Sequence, residues 1–209
     1  DVYKRQVRDK RQSLAVLAES AMMQEPEFEM SQTLSILLKS RSLVSIRRRD
    51  VDDYGIQGFL VGLSDHLLAI EYVYDFQIDG LMVLRRSDIT EVRRTATDEF
   101  QENLLKKEGI RPGSQTPVRL ELESWAALIQ QLSVPCSLMI LERELGPSPS
   151  FTIGRPIRAT AAQVEFQTFS GTGKWAPKNE RLKYSQLTCL QVNTRYLGFY
   201  QRYFERSGA

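Results

Sequence analysis

Hydrophobic and polar positions along this chain follow an order that occurs twice. SQTLSILLKS places Leu34, Leu37 and Leu38 at helical spacing, with Ser31 as a candidate N-cap. Five short runs of branched and aromatic residues follow: LVSIRRR (43–49), IQGFLVGL (56–63), LLAIEYVYDF (67–76), GLMVLRR (80–86) and ITEV (89–92). Each is bounded by Asp, Gly or Ser, the pattern of short strands joined by tight turns. TDEFQENLLKK returns to helical spacing, with Phe100, Leu104 and Leu105 on one face. Gly109 is placed to stop that helix, because glycine takes the left-handed cap without strain.

GIRPGSQTP breaks the pattern with two prolines and two glycines and reads as a linker, bounded here as residues 110–117. The order then recurs. ESWAALIQQL is a helix capped by Ser124, with Trp125, Leu128, Ile129 and Leu132 facing inward. SLMILERE, FTIGRPIRAT, QVEFQTF, ERLKYS and LTCLQV supply five more strands, and RYLGFYQRYFER closes as a helix. Gly58 corresponds to Gly154, Ile70 to Phe166, Leu68 to Val164, Thr90 to Thr188 and Val92 to Leu190. A repeat of roughly ninety residues is too long for a solenoid and predicts a tandem pair. The expected units are residues 30–109 and 118–206. The expected class is mainly β with flanking helices (α+β).

Helix followed by five short bent strands is the plan of a small barrel, which hides its sheet edges. GFLVGLSDHLLAIEYV and LRRSDITEV resemble the two signatures of the Sm and Sm-like RNA-binding proteins. The resemblance covers residues 31–95 and, more loosely, 124–192. It implies two tandem Sm-like or SH3-like five-stranded barrels, each with an N-terminal and a C-terminal helix.

In that family an Asp, an Asn and an Arg-Gly pair build a pocket that reads a single-stranded RNA base by stacking and edge hydrogen bonds. Here those places hold Ser64, Leu68, Arg85 and Arg86, and in the second unit Thr160, Val164, Lys183 and Tyr184. An aliphatic side chain cannot read a base edge. Leu68 and Val164 are therefore expected to face the core, and no base preference is expected.

Composition narrows the picture without deciding it. Of 209 residues, 42% are hydrophobic and 26% charged, ordinary for a cored protein. The net charge of +2 demands no polyanionic partner, and residues 31–109 carry 11 Lys and Arg against 13 Asp and Glu. Residues 118–206 carry 11 against 7, a modest basic excess. Cys136 and Cys189 sit in apolar runs without CxxC spacing, which reads as buried free thiols in a reducing, cytoplasmic setting. No apolar run is long enough to span a bilayer. DVYKRQ resembles a translated sequencing-adapter fragment. Residues 1–29 are expected to be an unpacked leader, either foreign to the protein or a native arm, with translation beginning at Met22, Met23 or Met30.

No residues converge on a reaction. His66 is the sole histidine and lies in a turn without metal-ligand companions, so no metal and no cofactor are expected. GTGKW (171–175) lacks the spacing of a phosphate loop and reads as a hairpin turn. Arg47, Arg48, Arg49, Arg85 and Arg86 could contact phosphates, or could be strand-end charges paired with nearby aspartates, the reading we favour. Arg47, Arg49, Arg85 and Arg86 are the candidate nucleic-acid residues. Tyr196, Phe199, Tyr200 and Tyr203 form an aromatic stripe wider than one packing seam. Phe100, Leu104, Phe199 and Tyr203 are the candidate interface, expected between the two units. The expected function is a non-enzymatic regulatory or scaffolding protein, of bacterial type, that binds protein partners or itself. The alternative is single-stranded nucleic-acid binding through the arginines.

Overall fold

The computed structural model describes residues 32–48, 50, 51, 54–113 and 119–207. The leader, Ser31, Arg49 and residues 114–118 of the linker region lie outside the described residues. The fold is mixed α+β and mainly β. Helix α1 (residues 32–40) precedes strands β1 (Leu43–Arg47), β2 (Ile56–Leu63), β3 (Leu67–Tyr74), β4 (Gln77–Arg85) and β5 (Glu91–Arg93). Helices α2 (Ala96–Lys107) and α3 (Trp125–Leu132) come next. Strands β6 (Met139–Arg143), β7 (Ser150–Ala159), β8 (Gln163–Thr168), β9 (Glu180–Lys183) and β10 (Cys189–Val192) lead into α4 (Arg195–Ser207).

All ten strands join one antiparallel sheet in the order β5-β1-β2-β3-β4-β10-β6-β7-β8-β9. The sheet is open, with β5 and β9 at its edges. Each five-strand block has its last strand beside its first and then runs in chain order. The backbone detail also repeats. Register shifts interrupt β2/β3 between Leu60 and Gly62, and β7/β8 between Pro156 and Arg158. Such a bulge bends its strand and increases the twist. The Arg86 amide donates to the His66 carbonyl at 2.9 Å, and the Tyr184 amide donates to that of Ala162 at 3.0 Å.

Two glycines make the sharp bend sterically possible. A Cβ on Gly58 would lie 2.6 Å from the Glu71 carbonyl oxygen and 2.9 Å from Ile70 Cδ1. One on Gly154 would lie 2.0 Å from the Gln167 carbonyl oxygen and 2.9 Å from Phe166 Cε1. Close backbone approach is a usual reason for glycine inside a strand.

The blocks meet at β4 and β10, paired Leu84 to Cys189, Val83 to Leu190, Met82 to Gln191 and Leu81 to Val192. Alternate side chains of this seam feed two cores. Leu81, Val83, Leu190 and Val192 pack with Val164, Phe166 and the inner face of α3. Met82, Leu84 and Cys189 pack with Leu34 and Leu37 of α1, Leu60, Leu68 and Ile70. Burying one such aliphatic side chain contributes about 1.5–3 kcal/mol.

The helices form where their caps and spacing require. Ser124 caps α3 by accepting from the Ala127 amide, and Trp125, Leu128, Ile129 and Leu132 are all buried. Thr95 and Asp98 form a reciprocal capping box at the start of α2. On that helix the expected inward face is corrected: Leu105 is buried and Leu104 half-buried, but Phe100 is 63% exposed. Strand limits also shift. Tyr74 pairs with Gln77, so Asp75 and Phe76, read as the end of a strand, are a two-residue turn with φ of 50° and 57°. Positive φ at both positions matches the twist of the flanking strands.

Candidate functional site

The arginines do not gather into an open patch. The Arg85 Nε donates to both Asp88 carboxylate oxygens, at 2.8 and 2.9 Å, and its Nη1 reaches the Ser185 carbonyl at 3.2 Å. Arg86 Nη1 donates to the Ser64 carbonyl at 2.9 Å and faces Asp65 at 3.5 Å. Both therefore tie turns together. Arg47 is exposed at the end of β1, and Arg49 lies outside the described residues.

Arg48 has a different role from its neighbours. It is 3% exposed and grips Glu144, beyond the end of β6, through two bonds of 2.8 Å. The Thr188 hydroxyl donates to the same carboxylate at 2.6 Å. This planar, two-pronged pairing suits a guanidinium and latches the first block to the second. Sequence proximity offered no signal for it, because Glu144 lies 96 residues away.

A cavity of about 440 Å³ opens between the turns of the two blocks, lined by His66, Arg85, Glu123, Trp125 and Tyr184 among others. Trp125 and Tyr184 are 7% and 8% exposed, so neither offers a free ring face. His66 is exposed. Leu68 and Val164, expected to point into the core, are both fully buried.

Buried acids and thiols stand in packing positions. Burial pushes the Glu142 carboxyl above its usual range, despite a bond from the Gln191 amide at 2.5 Å. Cys189, fully buried beside it, has its thiol pushed well up by burial and then by the Glu142 charge. Burial also opposes the charge on Glu102, but donors from Lys106, the Leu43 amide and Arg94 outweigh it and lower that carboxyl overall. Both cysteines are free and buried.

The four candidate interface residues are not gathered between the blocks. Phe199 is 68% and Tyr203 48% exposed, and with Phe100 outward too, the join is the β4/β10 seam instead. Backbone pairing and small aliphatic side chains supply that contact, so no aromatic is needed there. On α4 the inward residues are Leu197 and Phe204. Phe204 stacks on Trp175 at 4.7 Å, and Phe169 meets both rings. Tyr196, Phe199 and Tyr203 are left outside, beside the β8–β9 hairpin, where Gly171, Thr172, Gly173, Phe199, Tyr200 and Tyr203 line an apolar hollow of about 270 Å³. The Tyr200 hydroxyl donates to the Gly171 carbonyl at 3.1 Å and holds hairpin and helix together.

Among the described residues no group of His, Cys, Asp and Glu is placed to hold a metal ion, and no helix is long and apolar enough to cross a membrane. No protein-family model, curated protein or solved structure matches this chain.

Proposed function

We propose that this chain is a non-enzymatic scaffolding protein, built from two Sm-like units of the small-barrel type, that binds a protein partner. The observation that carries the reading is the exposed aromatic row Tyr196, Phe199 and Tyr203 beside an apolar hollow. Contiguous aromatic surface of this kind marks protein contacts more often than solvent-facing packing. The Sm-like assignment rests on the motif residues, supported by the shared strand order and the repeated bulge of the two blocks. Leu68 and Val164 fill the base-reading positions with buried aliphatic groups, and Arg85 and Arg86 are spent on turn contacts. These placements favour a protein partner over single-stranded nucleic acid.

Affinity capture of the tagged chain from its source cells, with and without nuclease, tests this reading. A protein partner retained after nuclease treatment is expected. Loss of all partners on nuclease treatment would overturn it, as would salt-sensitive, saturable binding of single-stranded homopolymer RNA by the purified chain, because phosphate-driven affinity falls steeply with salt.

A further inference from the structure

We infer that the face formed by α4 and the β8–β9 hairpin docks a peptide segment in which acidic residues flank an aromatic or leucine side chain. This rests on the protein-binding reading above and names the chemistry of its partner.

The hollow between hairpin and helix is framed by Phe199 and Tyr203 on one wall and Gly171–Gly173 on the other. Gly173, with φ of 70°, lets the Tyr203 ring close in, since a Cβ there would lie 2.5 Å from its Cε1. A second hollow of about 490 Å³ lies on the opposite flank of the helix, lined by Val134, Leu138, Arg155, Trp175 and Phe204 among others. Val134 at its rim is 89% exposed. Anchoring pockets of this kind take side chains from an extended or helical peptide.

The charge on this face selects the peptide. Lys174 comes from the hairpin loop, Arg202 and Arg206 from α4, and Arg155 from the neighbouring β7, where it lines the second hollow; Glu205 is their acidic counterpart on α4. None of the four cations takes part in an ion pair among the described residues. A face of this sign attracts acidic segments and repels a second copy of itself.

The same rings are poor platforms for nucleobases. Arg155 lies over Trp175 at 4.3 Å and Phe204 stacks on that ring at 4.7 Å. Arg202 lies over one face of the Phe199 ring at 4.8 Å. Base stacking needs an open ring face, whereas a peptide side chain can pack against ring edges.

The test uses the full chain and fluorescence anisotropy. The probes are a short fluorescein-labelled peptide alternating Glu with Phe and Leu, its counterpart with Lys replacing Glu, and oligothymidine. Saturable binding of the acidic peptide alone is expected. Phe199→Ser should weaken it about tenfold, as loss of an aromatic anchor does. Arg202→Glu, at an exposed position, should weaken the acidic peptide and strengthen the lysine peptide. Equal binding of both peptides, preference for oligothymidine, no saturation, or indifference to both substitutions would overturn the inference. If Phe199→Ser still retains the nuclease-resistant cellular partner, this docking face is wrong while the scaffolding reading stands.

Discussion

The seam at β4/β10 and the outer edges β5 and β9 are built from topologically equivalent strands, yet their residues differ in kind. At the seam LMVL faces CLQV, and of those eight residues only Gln191 is not buried. At the edges stand Glu91, Val92 and Arg93 on one side, and Glu180, Arg181, Leu182 and Lys183 on the other. Superimposing the blocks by their turns puts Arg181 where Val83 stands at the seam. A second copy added in the same way would bury Arg181 against Val92. Short strands and inward charge are how open sheets avoid edge-to-edge growth. Equivalent edges thus do opposite things: one pair is made to join, the other to stay apart.

The largest way to break this contrast is to put an edge-type residue into the seam. Val83→Asp leaves an unpaired charge in the core shared by both blocks and should cost about 4 kcal/mol or more, enough to unfold a domain of marginal stability. Urea denaturation would read it. The native chain should melt in one transition, since the core around α3 takes Leu67, Ala69, Leu81 and Val83 from the first block. Two separate transitions would mean that the seam does not couple them.

The latch comes next. Arg48→Met strands the Glu144 carboxylate, which keeps the Thr188 hydroxyl as a partner, and should cost about 2–3 kcal/mol. The double replacement Arg48→Met with Glu144→Met should recover much of that loss. A double variant as weak as the single one would show that the pair contributes net stability.

A smaller effect on stability comes from remaking an edge as a seam. Arg181→Val with Arg93→Val should change the unfolding free energy by less than about 1 kcal/mol, as surface substitutions do. Association should change more. Light scattering on an eluting peak is expected to give a monomer for the native chain and concentration-dependent oligomers for the variant. A native chain that already oligomerises through these strands would erase the contrast.

Least of all, Glu142→Gln should sharpen the electrostatics beside the seam. The folded carboxyl is raised above its unfolded value, so its relative contribution is favourable below the unfolded range and is lost as pH rises through the folded value. The Gln variant should therefore melt at a higher temperature than the native chain near neutral pH, with the gap closing in mild acid. A gap that widens in acid would contradict the assignment. Glu102 carries the opposite sign, its folded value being lowered, so its stabilisation is lost as pH falls below the carboxylate range.

Much of the local structure could be read from residue order. WAALIQQL forms the expected helix because Ser124 caps it and its large apolar groups recur at helical spacing. IQGFLVGL is a strand over its full expected length because branched residues and two glycines suit a pleated, bent backbone. Local pattern misled in two places. Phe76 looks like a strand residue, yet sits in a turn with positive φ, rare for a large side chain. Helix α4 carries an aromatic stripe wider than one packing seam, so spacing alone could not choose which of its rings face inward. Packing against Trp175 and Leu138 chose Leu197 and Phe204 and left Phe199 and Tyr203 outside.

What the sequence determined by itself was therefore short-range: helix caps, the alternation that makes ten strands, the glycines that permit two bends, and the burial of Leu68 and Val164. These depend on contacts a few residues apart or on a strand's own two faces. The tertiary structure decided which strand edges meet, that Arg48 reaches Glu144 rather than solvent or phosphate, and which side of α4 stays open. The physical reason is the same in each case. Backbone hydrogen bonds are alike at every edge, and a charge or ring has no preferred partner until the chain brings distant residues within reach.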